Sequence, residues 1–433
     1  YFLDFTGIDL EIDFTQPVFI GLLVGFVLVI GVLAGAYPAF VLSSFKPLNI
    51  LKSGQPLSGA KFVFRSLVVV QFAVSITLIV AAIFMYRQLN LIRSKDLGFD
   101  KANLVNVRLN GKLRDNIEVI KQDLEKLPAI SAASPATMTL VNVNNTSNFK
   151  WDGMPADKEF LITQANIDPG FLQTLGIQLI SGHNFSFQKT NDTANFILNQ
   201  TAVRRMGYND QTILGMGIDF WGAKGRVIGV VRDFNFKPLS AAVEPFVFRY
   251  QPMDGYFTLF VRLKPGNPSK ALADLTTTLR KYESELPPEY VFVDESLDRL
   301  YENDKHTANM ILLFSCLTIL VGCLGLFGLS VIISQQRIRE IGIRKVLGAG
   351  FASLAALLTT SYLRLVLIAG IVAIPAACVA VNYWLRDFAY KTTIDAATLA
   401  FVLVSVMAIA CMVMLLQVVR VMRTNPALVM RRK

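Results

Sequence analysis

A chain of 433 residues exceeds one ordinary domain, and its composition, 53% hydrophobic and 17% charged, lies far from the roughly 25% charged residues of a soluble domain. That balance excludes a disordered chain and argues against a fully soluble enzyme. The net charge of +10 suits either a nucleic acid or a membrane surface, and the placement of the charges decides between them.

Residues 1–16 carry Asp4, Asp9, Glu11 and Asp13 and no base. The uncharged apolar stretch 18–42 follows, longer than the roughly 20 residues a membrane helix needs. It holds Gly21 and Gly25, then Gly31 and Gly35, a small-xxx-small spacing that lets helices approach closely. Segment 43–65 has Lys46, Lys52, Lys61 and Arg65 and no acid. A second span is expected over 66–86. Leu89 and Ile92 continue its helical pattern outward.

The insert 87–307 is nearly neutral, with 26 basic and 25 acidic residues, and reads as a folded α+β unit. Val105, Val107 and Leu109 alternate with polar residues as a half-buried strand does. Ile117, Ile120, Leu124 and Leu127 take helical spacing, ended by Pro128. The middle, 140–250, carries strand and turn signals at Trp151-Asp152-Gly153, Asp168-Pro169-Gly170 and 227–231, and is expected to be a second, inserted subdomain. Phe257, Leu259, Val261 and Leu263 alternate as another strand. Asn267 and Pro268 then open a helix with the face Leu272, Leu275, Leu279, Tyr282 and Leu286, stopped by Pro287 and Pro288 before a returning strand at 290–293. Leu297, Leu300 and Tyr301 lead toward the next span. Together with Leu89 and Ile92 they predict a stalk of two continuous helices.

Three further spans are expected over 308–333, 354–385 and 397–419. Gly322, Gly325 and Gly328 line one face of the first of these. The second would reach about 48 Å at 1.5 Å per residue, beyond a hydrocarbon core of about 30 Å. It must begin outside the bilayer, tilt, or bend at Pro375, and its Arg364 is expected to snorkel. The short segments 43–65, 334–353 and 420–433 have net charges of +4, +3 and +5, and alternate with 1–16, 87–307 and 386–396. Basic short loops stay in the cytoplasm, so the insert faces outward and nucleic-acid binding is not needed to explain the charge. The start at Tyr1, on the outer side and without a signal-peptide pattern, predicts the C-terminal part of a longer protein. The expected domains are an outer segment 1–16, a first span with its basic loop 17–65, a span with stalk 66–96, an outer domain 97–296 and a three-span region 297–433.

No catalytic, cofactor-binding or metal-ligating set is legible. Gly59 is followed by Ala60, Lys61 and Phe62, where a phosphate loop requires Gly-Lys-Ser/Thr. Gly215 and Gly217 lack the third glycine of a dinucleotide fingerprint. Cys316, Cys323, Cys378 and Cys411 all fall in apolar runs, and His183 and His306 are isolated. The sharpest local signal is Arg337, Ile338, Arg339, Glu340, Ile341, Gly342, Ile343, Arg344, Lys345, Val346, Leu347, Gly348 and Ala349, in the cytoplasmic loop 335–350. Glu340 and Arg344 stand at i,i+4, and Gly348 suits a helix C-cap. The run reads as an interfacial helix on anionic lipid or as a docking helix for a cytoplasmic partner. A weak repeat relates Lys46-Pro47-Leu48-Asn49-Ile50-Leu51-Lys52 to Asn425-Pro426-Ala427-Leu428-Val429-Met430-Arg431, each following a span.

The run from Arg339 to Ala349 resembles the signature of FtsX-like, MacB-type ABC transporter permeases. Tyr37-Pro38-Ala39 through Lys52 and the Asn425-Pro426 tail are similar to that family's span-end motifs, and Phe64-Arg65 with Gln71-Phe72 is similar to the entry to its domain-bearing span. Asp96-Leu97-Gly98-Phe99-Asp100 and 227–236 are similar to stretches of its periplasmic core domain. Ser181-Gly182-His183-Asn184 departs from the Gly-Arg-Asn expected there. The resemblance covers essentially the whole chain and implies the last five spans of the duplicated eight-span subgroup. It implies an inner-membrane permease that relays ATP-driven motion to a periplasmic domain acting on lipoproteins, peptides or drugs. The implied partners are a cytoplasmic ABC ATPase, which would carry ATP and Mg, a second or sister permease, and membrane lipid. The competing reading is a membrane sensor with an outer ligand domain.

Overall fold

The computed structural model describes residues 16–43, 58–140, 143, 145–155, 157–187, 193–251, 255–336, 340, 343–344, 347–348 and 350–422. In chain order the helices used below are α1 (Pro17–Ser43), α2 (Ser58–Ser94), α3 (Ile117–Glu125), α4 (Gln200–Met206), α5 (Pro268–Arg280), α6 (Val293–Leu300), α7 (Glu302–Gln336), α8 (Phe351–Leu385) and α9 (Ala396–Met422). The chain is a helical polytopic membrane protein with an inserted α+β domain, and it divides into two compact units. A membrane unit ends at Gln88 and resumes over 304–385 and from Thr392. An outer unit comprises 89–303 and 386–391.

In the membrane unit, α2, α7, α8 and α9 each contain a stretch long and apolar enough to cross a bilayer. Helix α1 adds 27 uncharged residues, about 40 Å at 1.5 Å per residue. Helix α8 runs unbroken through Pro375. Its apolar crossing portion is Thr359–Leu385, so the first turns lie outside that portion, and Arg364 is exposed. The glycine expectations divide. A Cβ on Gly322 would touch the Phe72 ring at 3.4 Å, and one on Gly325 would touch Gln71 Oε1 at 3.4 Å, so α7 approaches α2 there. A Cβ on Gly31 or on Gly328 would meet nothing within 4 Å among the described residues, so the close packing expected of these two glycines is not seen there. The surroundings of Gly35 lie outside the described side chains. The tightest approach is one the spacing did not flag: a Cβ on Gly370 of α8 would lie 2.4 Å from Leu403 Cδ1 of α9.

The outer unit holds two subdomains. The first is a four-stranded antiparallel sheet, ordered β12 (Tyr290–Phe292), β1 (Leu104–Arg108), β11 (Thr258–Leu263), β2 (Ile130–Ala136). Helices α3 and α5 supply Ile120, Leu124, Leu275 and Leu279, which share one buried core with Val105, Val107, Leu259 and Val261. Asn267 caps α5 as expected, its side chain accepting the N–H groups of Ser269 and Lys270. The helix stops at Arg280, not at Pro287. Glu283 accounts for the early stop: its carboxylate accepts the N–H groups of Lys112 and Glu285, which competes with helical pairing, and Leu286 is left 52% exposed.

The second subdomain is built on β3 (Thr146–Asn148), β4 (Lys150–Trp151), β5 (Leu161–Asn166), β6 (Leu179–Gly182), β7 (Phe196–Asn199), β8 (Gly217–Phe220), β9 (Ala223–Val231) and β10 (Phe246–Arg249). The path runs β3-β5-β10-β7-β9-β8-β4, with β6 also on β9. Strands β3 and β4 are two parts of one bent segment, separated only by Phe149, so the path returns to its start and the sheet closes. Closure removes the free edges of a sheet. Phe149 is fully buried and packs against Phe160, Phe196 and Phe220. Asn199 caps α4 through Ala202 N–H and also accepts Phe246 N–H. The two-residue turn between β8 and β9 places Trp221 at φ +54° and Gly222 at φ +79°, the sign pattern of a type I′ hairpin.

Candidate functional site

The loop singled out by sequence is described only in part. Glu340 and Arg344 form the expected ion pair at 2.9 Å. Leu347 N–H donates to Ile343 O at 3.0 Å, one helical turn, and Gly348 takes φ +90°, the left-handed conformation of a helix C-cap. Ile343 is 55% exposed and Leu347 80% exposed. Residues four apart share a helix face, so the two make an apolar patch beside the ion pair. Arg337, Arg339, Ile341, Gly342, Lys345 and Val346 lie outside the described residues.

The expected stalk is half continuous. Helix α2 runs unbroken for 37 residues, from Ser58 to Ser94, and its Leu89 and Ile92 are buried, at 5% and 4% exposure. The return leg is not one helix. It breaks at Tyr301, φ −108° and ψ 11°, between α6 and α7. The break is tied to the outer domain's own polar contacts, because Tyr301 Oη accepts the Leu239 N–H at 2.7 Å. Within the outer unit the predicted stalk residues Ile92, Leu297 and Tyr301 line one cleft. Arg93 Nε meets Asp298 Oδ1 at 3.3 Å beside them, and Leu300 is half-buried on α6.

Two stretches far apart in sequence join immediately after α2. The Asn235 N–H donates to Leu97 O at 2.8 Å, and Arg232 pairs with Asp96 at 3.2 Å. Gly98 sits at φ +79°, where a Cβ would lie 2.3 Å from Asp233 O and 2.7 Å from Phe234 Cα. Only glycine fits both that backbone and that contact. Gly182 follows the same logic against Ile228 O.

Sequence reading missed a buried ion pair between the subdomains. Lys121 of α3 meets Asp168 at 2.8 Å, with Asp168 1% and Lys121 9% exposed. Asp168 also accepts Ser134 Oγ–H at 3.2 Å and Gly170 N–H at 2.7 Å. The Lys121 ammonium lies 4.9 Å from the Phe187 ring centroid. Burial, then the Asp168 charge, pushes the nearby Glu118 carboxyl up. The available signal was a lysine on the same helix face as Ile117, Ile120 and Leu124.

At the start of α9, Asp395 accepts Thr398 N–H at 2.9 Å and Thr398 Oγ1–H at 2.7 Å and pairs with Arg87. The Thr398 bonds, then the Arg87 guanidinium, hold its carboxyl down at about 2. A depressed carboxylate pKa contributes stability that is complete above the ordinary value of 3.8 and is lost as pH falls through about 2. The stability gap between wild type and Asp395→Asn should therefore stay constant from neutral pH to about 4 and close below it. Thermal unfolding of both proteins across that range checks this, and a gap that closes near pH 6 would contradict it.

Among the described residues no group of three or more His, Cys, Asp or Glu could hold a metal ion. His183 is exposed, with Nδ1 against Asn184 O at 3.0 Å.

Residues 312–426 match the family model of the FtsX-like permease C-terminal region, and residues 68–279 match that of the MacB-like periplasmic core domain. No curated protein matches the chain. Among solved structures, the periplasmic region of MacB from Actinobacillus actinomycetemcomitans is similar at 16% identity and TM-score 0.35, over 49% of this chain and 98% of that one. The extracellular domain of the noncanonic ABC-type transporter YknZ from Gram-positive bacteria is similar at 12% identity and TM-score 0.33, over 43% of this chain and 98% of that one.

Proposed function

Because the chain belongs to the FtsX-like, MacB-type permeases of ABC transporters, we propose that it relays motion driven by ATP on a separate ATPase chain to its periplasmic domain. It is a multi-pass protein of the inner membrane with its large domain in the periplasm. Permeases of this family work with cytoplasmic ABC ATPases and are not themselves catalytic. The work done outside is export or extraction of a lipoprotein, peptide or drug. A second copy or a sister permease completes the machine, set in membrane lipid, and ATP and Mg bind the partner ATPase.

The observation that carries the relay is the length of α2. Its 37 residues reach about 55 Å at 1.5 Å per residue, against a hydrocarbon core of about 30 Å. The helix belongs to the membrane unit up to Gln88 and to the outer unit from Leu89. A helix transmits displacement along its axis only while its hydrogen-bond ladder is intact. Asn90 is exposed on α2 just beyond that boundary, so a change there tests the ladder rather than a packed side chain. Asn90→Pro removes one ladder bond and kinks the helix at a cost of about 3 kcal/mol. It should keep the ATPase bound and abolish the ATP-driven response of a fluorophore at residue 119, while Asn90→Ala keeps the response. An undiminished response in Asn90→Pro would refute a relay through α2.

A further inference from the structure

The outer ends of the spans bury more polarity than membrane crossing requires. Three consecutive residues of α2 hold two other parts of the membrane unit, α7 and the segment that opens α9. The Tyr86 O–H donates to Asn309 Oδ1 on α7. Arg87 pairs with Asp395, the residue that caps α9. Gln88 Oε1 accepts the Thr392 N–H, from the segment leading into α9, at 2.9 Å. Gln88 is fully buried and Asn309 is 8% exposed. Successive residues of an α-helix point about 100° apart, so these three partners surround about 200° of the circumference. The turn below is packed as closely, with Ala82, Phe84 and Met85 all buried.

Buried amides cost free energy unless paired, and an apolar side chain at position 88 would serve a helix that merely crosses. The contacts also differ in kind: a neutral hydrogen bond, an ion pair and a side chain to backbone bond. Each resists sliding along the helix axis, because each has a direction that apolar packing lacks. Immediately beyond them α2 enters the outer unit at Leu89. We propose that Tyr86, Arg87 and Gln88, with Asn309, Asp395 and Thr392, form a collar that positions α2 at the outer membrane face. The collar passes displacement of the helix on to residues 89–94 instead of letting α2 slip against α7 and α9. The inference rests on the relay reading above, and assigns these groups a positioning role in it.

The test uses the full chain with the ABC ATPase that co-purifies with it, in lipid nanodiscs, with the four native cysteines replaced. Leu297→Cys reports on the cleft beside Ile92 and Arg93. Its rate of maleimide modification is compared between the nucleotide-free complex and the vanadate-trapped ATP complex. The background protein should show a nucleotide-dependent change in rate. The combined variant Tyr86→Phe, Gln88→Met, Asp395→Asn changes little volume and leaves an acceptor for Thr398. It should keep ATPase binding and hydrolysis and lose the change in rate. Gln88→Glu, which keeps an acceptor oxygen for Thr392, should retain it. A full change in the combined variant overturns the collar, and loss of ATPase binding in that variant overturns a role limited to positioning. No change in the background overturns the relay reading, and the collar with it.

Discussion

Leu347→Asp should detach the ATPase from this permease. Leu347 is 80% exposed and Ile343, one turn earlier, 55% exposed, and a leucine exposed to that degree in a cytoplasmic loop has either lipid or a protein to meet. An apolar anchor at the centre of an interface is typically worth 2 kcal/mol or more. Placing a carboxylate there should weaken docking by about 30-fold or more, at 1.4 kcal/mol per tenfold. Glu340→Lys separates the two possible surfaces. It removes the 2.9 Å pair with Arg344 and makes the loop more basic, which strengthens attraction to anionic lipid by roughly 1 kcal/mol. Protein docking should instead weaken, because like charges replace an ion pair. Co-purification and ATPase activity of the reconstituted complex give the answer. If Leu347→Asp and Glu340→Lys both leave them at wild-type level, the loop is a lipid-facing helix. Ile341, the other apolar residue of this run, lies outside the described residues.

The second large effect is expected at Lys121. Removing one member of a buried ion pair strands the other, which costs about 3–5 kcal/mol. Lys121→Met leaves the Asp168 carboxylate, 1% exposed, with only Ser134 and Gly170 as donors among the described residues. The two subdomains have separate apolar cores, so an outer fragment of residues 89–303 should fold in solution and melt cooperatively. In that fragment Lys121→Met should lower the midpoint by on the order of 10 °C. The double variant Lys121→Met, Asp168→Leu should recover most of the loss, since two apolar residues of similar volume leave no charge buried. A single variant that melts within about 2 °C of wild type would show that the pair does not fix the subdomain junction.

Much of the architecture was legible because local signals and tertiary packing agree. The alternation at Val105 and Val107, the helical spacing of Ile120 and Leu124, and the Asn267-Pro268 start all recur in the fold. What escaped the sequence depends on partners far along the chain. Pro287 and Pro288 were expected to stop α5, while Glu283, bonded to Lys112 from 171 positions away, sets the real end at Arg280. Sheet closure at Phe149 needs β5 and β8 to meet two parts of one segment, which no local pattern reveals. The stalk looked continuous because Tyr301 fits a helical face; its bond to Leu239 N–H is a tertiary fact. In the membrane unit, Gly322 and Gly325 face Phe72 and Gln71 of α2, and Gly370 was passed over because it stands alone in its span. Gln88 and Asn309 lie where a span is expected to end, so their polarity looked like ordinary exposure and not a buried contact.

The most direct test of the relay is a distance. Spin labels at residues 119 and 353, both exposed positions, are placed on the otherwise cysteine-free chain in complex with its ATPase. Pulsed electron resonance then compares the nucleotide-free state with the vanadate-trapped ATP state. The relay predicts that the distance distribution shifts on trapping and returns when nucleotide is removed. Identical distributions in the two states, with the ATPase bound and turning over, would contradict it.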